Sequence, residues 1–206
     1  MENIDKIRSY FQDKLDRFGN TPRGADWNSN EAQNARFDQL IKVIQPQSDF
    51  SILDFGCGYG ALADYLLSLG RDFNLFVGYD ILESMVAKAR LLHEQPAGKF
   101  LFTADFSEIP VVDYAVASGV FNIKLDNTYD DWTADVIQTL ERLHERTRHG
   151  FASNFLTKYS DADKMKPHLY YADPCYLFDY CKKHFSKNVA LLHDYELYDF
   201  TLLVRK

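Results

Sequence analysis

Three glycines at alternate positions, Gly56, Gly58 and Gly60, interrupt the segment ILDFGCGYG of residues 52–60. The residues before them have the apolar pattern of a buried strand, and those after them, ALADYLLSLG, have the pattern of a helix. Glycine lets the backbone between a strand and a helix turn tightly and approach a ligand, and the start of the helix offers free N–H groups. The pattern therefore predicts a loop that binds a ligand.

Two carboxylates near this loop indicate the kind of ligand. Asp80 ends the next predicted strand, NLFVGYD, and lies twenty residues after Gly60, a spacing typical of an acidic residue that binds both hydroxyls of a ribose. Asp54 lies two residues before Gly56, where it would repel a pyrophosphate and attract an ammonium group. These charges favour S-adenosylmethionine over a dinucleotide.

The pattern along the chain predicts the elements that hold this loop. From Ser51, short apolar runs alternate with helical patterns, which is typical of right-handed βαβ units and a parallel sheet. The last two predicted strands, NVALLHDY and YDFTLLVRK, have only a tight link between them and predict an antiparallel hairpin at the sheet's edge. We therefore expect a single-domain α/β fold, doubly wound, with a mostly parallel seven-stranded sheet.

Two further segments lie outside this alternation. Residues 4–18 have an amphipathic helical pattern, and a second helix is expected from an N-cap at Ser29 or Asn30 to before Pro46. We expect residues 1–48 to form an N-terminal helical cap on a core of residues 49–206. Within that core, residues 156–174 follow the fifth strand and are too many for a minimal link to the next helix. We expect this segment to be a lid.

Composition excludes several classes of function. The formal net charge of −7 argues against unaided binding to nucleic acid, because such binding depends on clustered Lys and Arg. The three cysteines form no CxxC pair and the histidines share no metal-ligand spacing, so neither a disulfide framework nor a metal site is expected. No apolar run approaches the length of a membrane span, so we expect a cytoplasmic protein, with aromatic residues enough for a homodimer surface as well as a core.

The segments LDFGCGYG, VGYD and FTADF resemble the successive ligand-binding motifs of class I S-adenosylmethionine-dependent methyltransferases, and the resemblance covers roughly residues 50–155. It implies that the glycine loop surrounds the methionine moiety, that Asp80 binds the ribose and that Asp105 accepts from the adenine amino group. It also places Ser118 and Gly119 near the sulfonium. The residues implied to bind the cofactor are Asp54, Gly56, Cys57, Gly58, Gly60, Asp80, Ile81, Asp105, Phe106, Ser118 and Gly119.

The acceptor of the methyl group is expected to be a small polar molecule, such as a sugar or a natural-product intermediate, methylated on O or N. The fourth predicted strand ends in ASGVFN, which departs from the Asn/Asp-Pro-Pro-Tyr/Phe motif of family members that methylate nucleobase or amide nitrogens. Candidate catalytic residues are His168, as the base, and Tyr171. Candidate acceptor-binding residues are Trp27, Asn122, Asn154, Tyr170 and Tyr171.

Two alternatives stay open at this point. A non-catalytic protein that binds S-adenosylmethionine as a sensor or regulatory subunit would keep every cofactor motif. An NAD-dependent oxidoreductase would share the parallel sheet and the role of Asp80, and its fingerprint accepts alanine at the position of Ala61. Asp54 and the antiparallel hairpin favour the methyltransferase over the oxidoreductase.

Overall fold

The structure is a computed structural model that describes residues 2–19, 29–46, 49–94 and 98–206. The described residues form one sheet of eight strands. The strands are β1 (Ser51–Phe55), β2 (Leu75–Tyr79), β3 (Phe100–Thr103), β4 (Val112–Ala117), β5 (Thr147–Thr157), β6 (Tyr171–Ala172), β7 (Asn188–Leu192) and β8 (Asp199–Arg205).

Seven of these strands run side by side in the order β3-β2-β1-β4-β5-β8-β7. Strands β1 to β5 are parallel to one another, whereas β8 is antiparallel to both β5 and β7. The chain leaves β1 toward one side of the sheet and returns through β4 on the other, so the switch point lies at the carboxyl ends of β1 and β4. This confirms the predicted α/β fold, its mostly parallel sheet and its antiparallel C-terminal strands.

Two details of the sheet differ from the prediction. The link between β7 and β8 spans residues 193–198 and is longer than the tight link expected, because both strands are shorter than their apolar patterns. The eighth strand, β6, was not predicted from the sequence, and it adds in parallel to the end of β5 through two residue pairs.

Six α-helices surround the sheet among the described residues. Three of them begin after an N-cap residue of a type that favours helix starts. The side chains of Ser29, Thr128 and Asp173 each accept a hydrogen bond from a backbone N–H in the first turn. The helices are α1 (Glu2–Phe18), α2 (Asn30–Leu40), α3 (Ala61–Ser68), α4 (Glu83–Leu92), α5 (Tyr129–Glu145) and α6 (Pro174–His184), with one-turn 3-10 helices at Ile41–Val43 and Phe106–Glu108.

The helices cover both faces of the sheet, as a doubly wound fold requires. Neighbouring residues of β1 point to opposite faces, so that Ile52 joins the cluster formed with α2, α3 and α4 and Leu53 joins the cluster formed with α5 and α6. Both side chains are fully buried. A core on each face fixes the sheet and, with it, the edge where the strands end.

The N-terminal helices reach that edge. Helix α1 contacts the start of α4, because Leu15 packs with Leu82 and Met85 and the Arg8 Nε–H donates to the Ile81 carbonyl at 3.3 Å. Helix α2 lies against α3 on the same side of the sheet. Both helices are therefore placed to form walls of a site at the carboxyl ends of the strands.

The segment after β5 packs against the loop that follows β4. The Tyr170 N–H donates to the Asn122 carbonyl at 2.9 Å, and Ile123 and Leu169 form an isolated antiparallel bridge. Within the described part of the chain, no helix has both the length and the apolar character needed to cross a membrane.

Candidate functional site

A cavity opens at the carboxyl ends of β1, β2 and β4, at the switch point of the sheet. Its walls come from the glycine loop, from the residues after β2 and β4, and from helices α1 and α2. The lining residues are Ile7, Phe11, Gln33, Phe37, Asp54, Phe55, Gly56, Cys57, Gly58, Tyr59, Ala61, Tyr79, Asp80, Ile81, Leu82, Met85, Ser118, Gly119 and Val120.

The glycine loop is held against β2 by its own backbone. The N–H groups of Gly56 and Cys57 both donate to the Tyr79 carbonyl, at 2.7 and 2.9 Å. Gly56 has a φ of +82°, and a Cβ at this position would lie 2.5 Å from a methyl carbon of Val120. Glycine is therefore required here both by the backbone conformation and by the close approach of the loop after β4.

Asp80 links the loop to the start of α4. Its carboxylate accepts hydrogen bonds from the N–H groups of Gly58 and Leu82, each at 2.9 Å. Burial raises the pKa of Asp80, and these two backbone donors oppose that rise because they stabilise the charged form. Each carboxylate oxygen has a second lone pair, so the group can still accept from a ligand hydroxyl in the cavity.

Asp54 lies deeper in the same cavity and is 3% exposed. Burial, with a smaller contribution from the nearby charge of Asp80, raises the pKa of Asp54 to about 8. Asp80 has two backbone donors that favour its ionised form, so Asp54 is the member of the pair that keeps a proton near neutral pH. A cation placed beside Asp54 would drive that proton off and pair with the carboxylate.

The loop after β4 forms the opposite wall of the cavity. The Gly119 N–H donates to the Asn154 side-chain oxygen at 2.8 Å, and Asn154 is fully buried under this loop. The Ser118 hydroxyl oxygen is buried and has no hydrogen-bond partner among the described residues. A buried hydroxyl beside a cavity is a group that a bound molecule can satisfy.

Eight of the predicted cofactor residues line this cavity together: Asp54, Gly56, Cys57, Gly58, Asp80, Ile81, Ser118 and Gly119. Gly60 lies just outside, where it caps α3 with a φ of +92° and packs against His93. Burial raises the pKa of the Cys57 thiol well above its usual range, which keeps it protonated and weakly nucleophilic.

Asp105 and Phe106 are not among the described lining residues. The exposed Asp105 carboxylate accepts from the N–H and hydroxyl of Ser107, which lowers its pKa and caps the 3-10 helix. The Phe106 ring packs against Phe55 and Tyr79, two residues that do line the cavity. Phe106 therefore lies behind the cavity wall, and the roles of both residues in adenine binding stay predictions.

The segment predicted to be a lid contributes no residue to the described lining of the cavity. Tyr170 is 1% exposed, and its hydroxyl shares a 2.9 Å hydrogen bond with Thr133 of α5. The Tyr170 ring belongs to the core between α5 and the sheet, and its role in acceptor binding stays a prediction.

The other predicted acceptor and catalytic residues lie around this segment. The Tyr171 hydroxyl accepts from the Lys166 N–H at 2.9 Å, and the His168 side chain is exposed. The side-chain oxygen of Asn122 accepts from the Leu156 N–H at 3.3 Å. None of these three lines the described cavity, and Trp27 lies outside the described residues, so their catalytic and binding roles stay predictions.

The sequence analysis missed most of the apolar wall. Ile7 and Phe11 of α1, and Gln33 and Phe37 of α2, face the cavity. The helical spacing of the apolar residues in α1 showed that one face would be covered, but it could not show that this face covers a ligand site. Gln33 had a signal, since a glutamine on the inner face of a helix is unusual.

No group of three or more His, Cys, Asp or Glu side chains within the described ranges is arranged to hold a metal ion. The polar groups of the cavity instead offer two carboxylates, one carboxamide and the Ser118 hydroxyl. This arrangement can bind a cation, a pair of hydroxyls and a polar group of modest size.

Comparisons with known proteins agree with this geometry. A methyltransferase domain model matches residues 52–150. The Mycobacterium tuberculosis protein described as "Putative methyltransferase Rv1506c" is 48% identical over 167 residues, which are 81% of this chain and 99% of that protein. The ubiquinone biosynthesis O-methyltransferase of Cereibacter sphaeroides is 29% identical over 116 residues, which are 56% of this chain and 44% of that protein.

A solved structure shows the same fold. The crystal structure of magnesium protoporphyrin IX methyltransferase from Synechocystis, with bound S-adenosylmethionine, superposes with a TM-score of 0.69 at 16% sequence identity. The superposition covers 100% of this chain and 98% of the other.

Proposed function

Because this chain belongs to the class I S-adenosylmethionine-dependent methyltransferases, we propose that it transfers the methyl group to an oxygen or nitrogen of a small polar molecule. A sugar or a natural-product intermediate is the class of acceptor that fits best. Membership of this family replaces the oxidoreductase alternative raised from the sequence.

The residues of the cavity fit the cofactor. Asp80 faces the cavity with lone pairs free for the two ribose hydroxyls, and Ile81 beside it offers an apolar surface for the adenine. The carboxylate of Asp54 is buried with no cationic partner among the residues that line the cavity, and the methionine ammonium of the cofactor would supply one. When bound, the cofactor supplies an electrophilic methyl group on a sulfonium.

The observation that carries the proposal is the charge of the cavity. Its described lining contains Asp54 and Asp80 but no Lys, Arg or His. Asp54 and Asp80 are assigned to the cofactor, so an anionic acceptor would find no described lining side chain to pair with it, whereas a hydroxyl or amine group would need none. A nucleic acid, with its chain of phosphates, is disfavoured for the same reason.

What the protein must do for such an acceptor is mainly to position it. Displacement at a methyl carbon needs an acceptor lone pair held in line at about 3 to 3.5 Å, and this placement supplies much of the rate. A general base is needed only where the acceptor must lose a proton during transfer. The similarity to a protein named as an O-methyltransferase supports oxygen as the acceptor atom.

The proposal is tested with S-adenosylmethionine that carries a radiolabelled methyl group. The protein is incubated separately with pools of small hydroxyl and amine compounds, with mixed RNA and with mixed protein, and the label is followed after separation by size. Label in small molecules supports the proposal, whereas label in RNA or protein contradicts it. Binding of the cofactor without transfer to any pool would support the alternative of a non-catalytic sensor. The Asp80→Ala variant serves as the inactive control.

A further inference from the structure

A buried ion pair joins helix α2 to the last strand of the sheet. The Arg36 guanidinium donates through Nε and Nη2 to the two oxygens of Asp199, at 2.7 and 2.9 Å. Arg36 is 8% exposed and Asp199 is 1% exposed. Such a bidentate pair fixes distance and orientation together, because the planar fork of the guanidinium matches the carboxylate.

The ion pair continues to the cavity through one further residue. The Asn154 side-chain N–H donates to the Asp199 carboxylate at 2.9 Å, and the Asn154 side-chain oxygen accepts from the Gly119 N–H at 2.8 Å. Asn154 has no exposed surface. A continuous line of hydrogen bonds therefore runs from α2 through β8 and β5 to the loop after β4, which is a wall of the cavity.

Stability alone does not explain this line of hydrogen bonds. Removing an Arg–Asp pair from water costs free energy that their attraction roughly balances, so an apolar pair of similar volume would often stabilise the fold as well or better. What apolar residues could not do is fix the orientation of the Asn154 carboxamide and, through it, of the Gly119 N–H. The buried charges therefore serve geometry at the cavity.

A polar group of the cavity wall lies on the same helix as this ion pair. Gln33 precedes Arg36 by three residues, so the two side chains lie on one face of α2. Gln33 is 6% exposed and lines the cavity, and its carboxamide makes no hydrogen bond with any residue that the structure describes. A carboxamide that lines a cavity and is accessible from it can donate to and accept from a bound ligand.

We propose that Arg36, Asp199 and Asn154 form a positioning network that fixes Gln33 and Gly119 on facing walls of the methyl-transfer end of the cavity. The inference rests on the proposed function, since it assigns this end of the cavity to the transferring group and its acceptor. Gln33 is the polar group that the network presents to the bound molecules. Arg36, Asp199 and Asn154 act through Gln33 and Gly119 and are positioning residues.

The test uses the full chain and two readouts that need no known acceptor. The first is the backbone amide resonance of Gly119 in a ¹H–¹⁵N correlation spectrum. The second is calorimetric affinity for S-adenosylhomocysteine and for adenosine, which lacks the part of the ligand that reaches the transfer end. The variants are Asn154→Ala and Arg36→Lys, with Lys183→Ala as a control that breaks an exposed ion pair on α6.

The network predicts a result for the remote variant in particular. Arg36→Lys keeps the charge but loses the bidentate geometry, and we expect it to move the Gly119 resonance in the same direction as Asn154→Ala. Both variants are expected to weaken S-adenosylhomocysteine binding about tenfold, as for the loss of one good hydrogen bond, and to change adenosine binding less than about twofold. Lys183→Ala changes neither readout.

Two outcomes overturn the inference. In the first, Arg36→Lys lowers the unfolding temperature but changes neither the Gly119 resonance nor the ratio of the two affinities. The ion pair would then have a purely structural role. In the second, both ligands lose affinity equally, which would show that the network does not act at the transfer end.

Failure of the unmodified protein to bind S-adenosylhomocysteine would instead contradict the proposed function, and the Gly119 resonance would still test the network. Should Arg36→Lys fail to fold, Gln33→Ala, which breaks no bond in the protein, must lower S-adenosylhomocysteine affinity without lowering the unfolding temperature.

Discussion

Asp54 and Asp80 line one cavity but differ in protonation. Among the described residues, backbone N–H groups donate to the carboxylate of Asp80 but not to that of Asp54. The raised pKa of Asp54, about 8, means that its carboxyl stays neutral in the fold over a range where the unfolded chain ionises it. Asp54 therefore costs the fold stability, by an amount that grows as the pH rises from about 4 to about 8.

Asp54→Asn is therefore predicted to increase the free energy of unfolding of the ligand-free protein. The gain should be small near pH 4 and reach on the order of a few kcal/mol near pH 8, because only the wild type loses stability over that range. Denaturant unfolding at several pH values measures the difference. A difference that does not change with pH would contradict the raised pKa.

The same group predicts proton release on binding. Near pH 7 the neutral Asp54 must ionise to pair with the ammonium of the cofactor, so binding should release a proton to the buffer. Calorimetry of S-adenosylmethionine in buffers of different ionisation enthalpy gives the number released. We expect a fraction close to one for the wild type and a clear decrease in Asp54→Asn. Equal release by both proteins would assign the proton to another group.

Gly56 is the glycine of the cavity wall whose replacement tests the close approach of the loop after β4. Gly56→Ala must hold alanine at a φ of +82° with its Cβ 2.5 Å from Val120, whereas Gly70→Ala meets only the positive φ of +67° with no atom within 4 Å. We predict losses of unfolding free energy of about 2–3 kcal/mol for Gly56→Ala and about 1 kcal/mol for Gly70→Ala. Denaturant titration of both variants measures these losses. Equal losses of unfolding free energy would mean that the loop after β4 moves to make room for the added methyl group.

At the scale of elements, helix α1 is both part of the fold and a wall of the cavity. It is tied to the region after β2 by the Arg8 bond to Ile81 and by a hydrogen bond from the Ser84 hydroxyl to Gln12. Its apolar pattern predicted a covered face. The pattern could not show what the face covers, because burial against a ligand and burial against protein select the same residue types.

Phe11→Ala is predicted to weaken binding of S-adenosylhomocysteine by about 3- to 10-fold, through the loss of an aromatic wall of the cavity. Phe18→Ala is the matched control, since Phe18 ends the same helix, is 41% exposed and does not line the cavity. Calorimetry compares the two. Equal affinities for both variants would show that α1 contributes no contact to the ligand.

The segment after β5 shows what a sequence pattern leaves open at this scale. This segment is longer than a minimal link to the next helix and is rich in tyrosine. Both properties fit a lid over a ligand as well as they fit a packed extension of the core. The structure selects packing for Tyr170, through its hydrogen bond to Thr133 and its burial against α5. That contact joins residues far apart in the chain, and local pattern carries no signal for it.

For the whole molecule, the sheet and its switch point could be predicted because strand and helix periods alternate and glycine and acidic residues follow β1 and β2. The resemblance to the family's motifs implied the cofactor candidates, and eight of them line one cavity. The ion pair of Arg36 with Asp199 could not be predicted, since it joins residues separated by 163 positions. Only the closed fold brings α2 and β8 together beneath the loop after β4.

The central claim is that the cavity binds S-adenosylmethionine through Asp80, and calorimetry tests it most directly. The wild type is titrated with S-adenosylmethionine, S-adenosylhomocysteine and NAD, beside Asp80→Ala and, as a matched control, Asp72→Ala, whose carboxylate pairs with Lys99 outside the cavity. We predict micromolar binding of both sulfur ligands, a loss of about tenfold or more in Asp80→Ala only, and no comparable binding of NAD. Binding of NAD instead, or equal affinities in wild type and Asp80→Ala, would contradict the account.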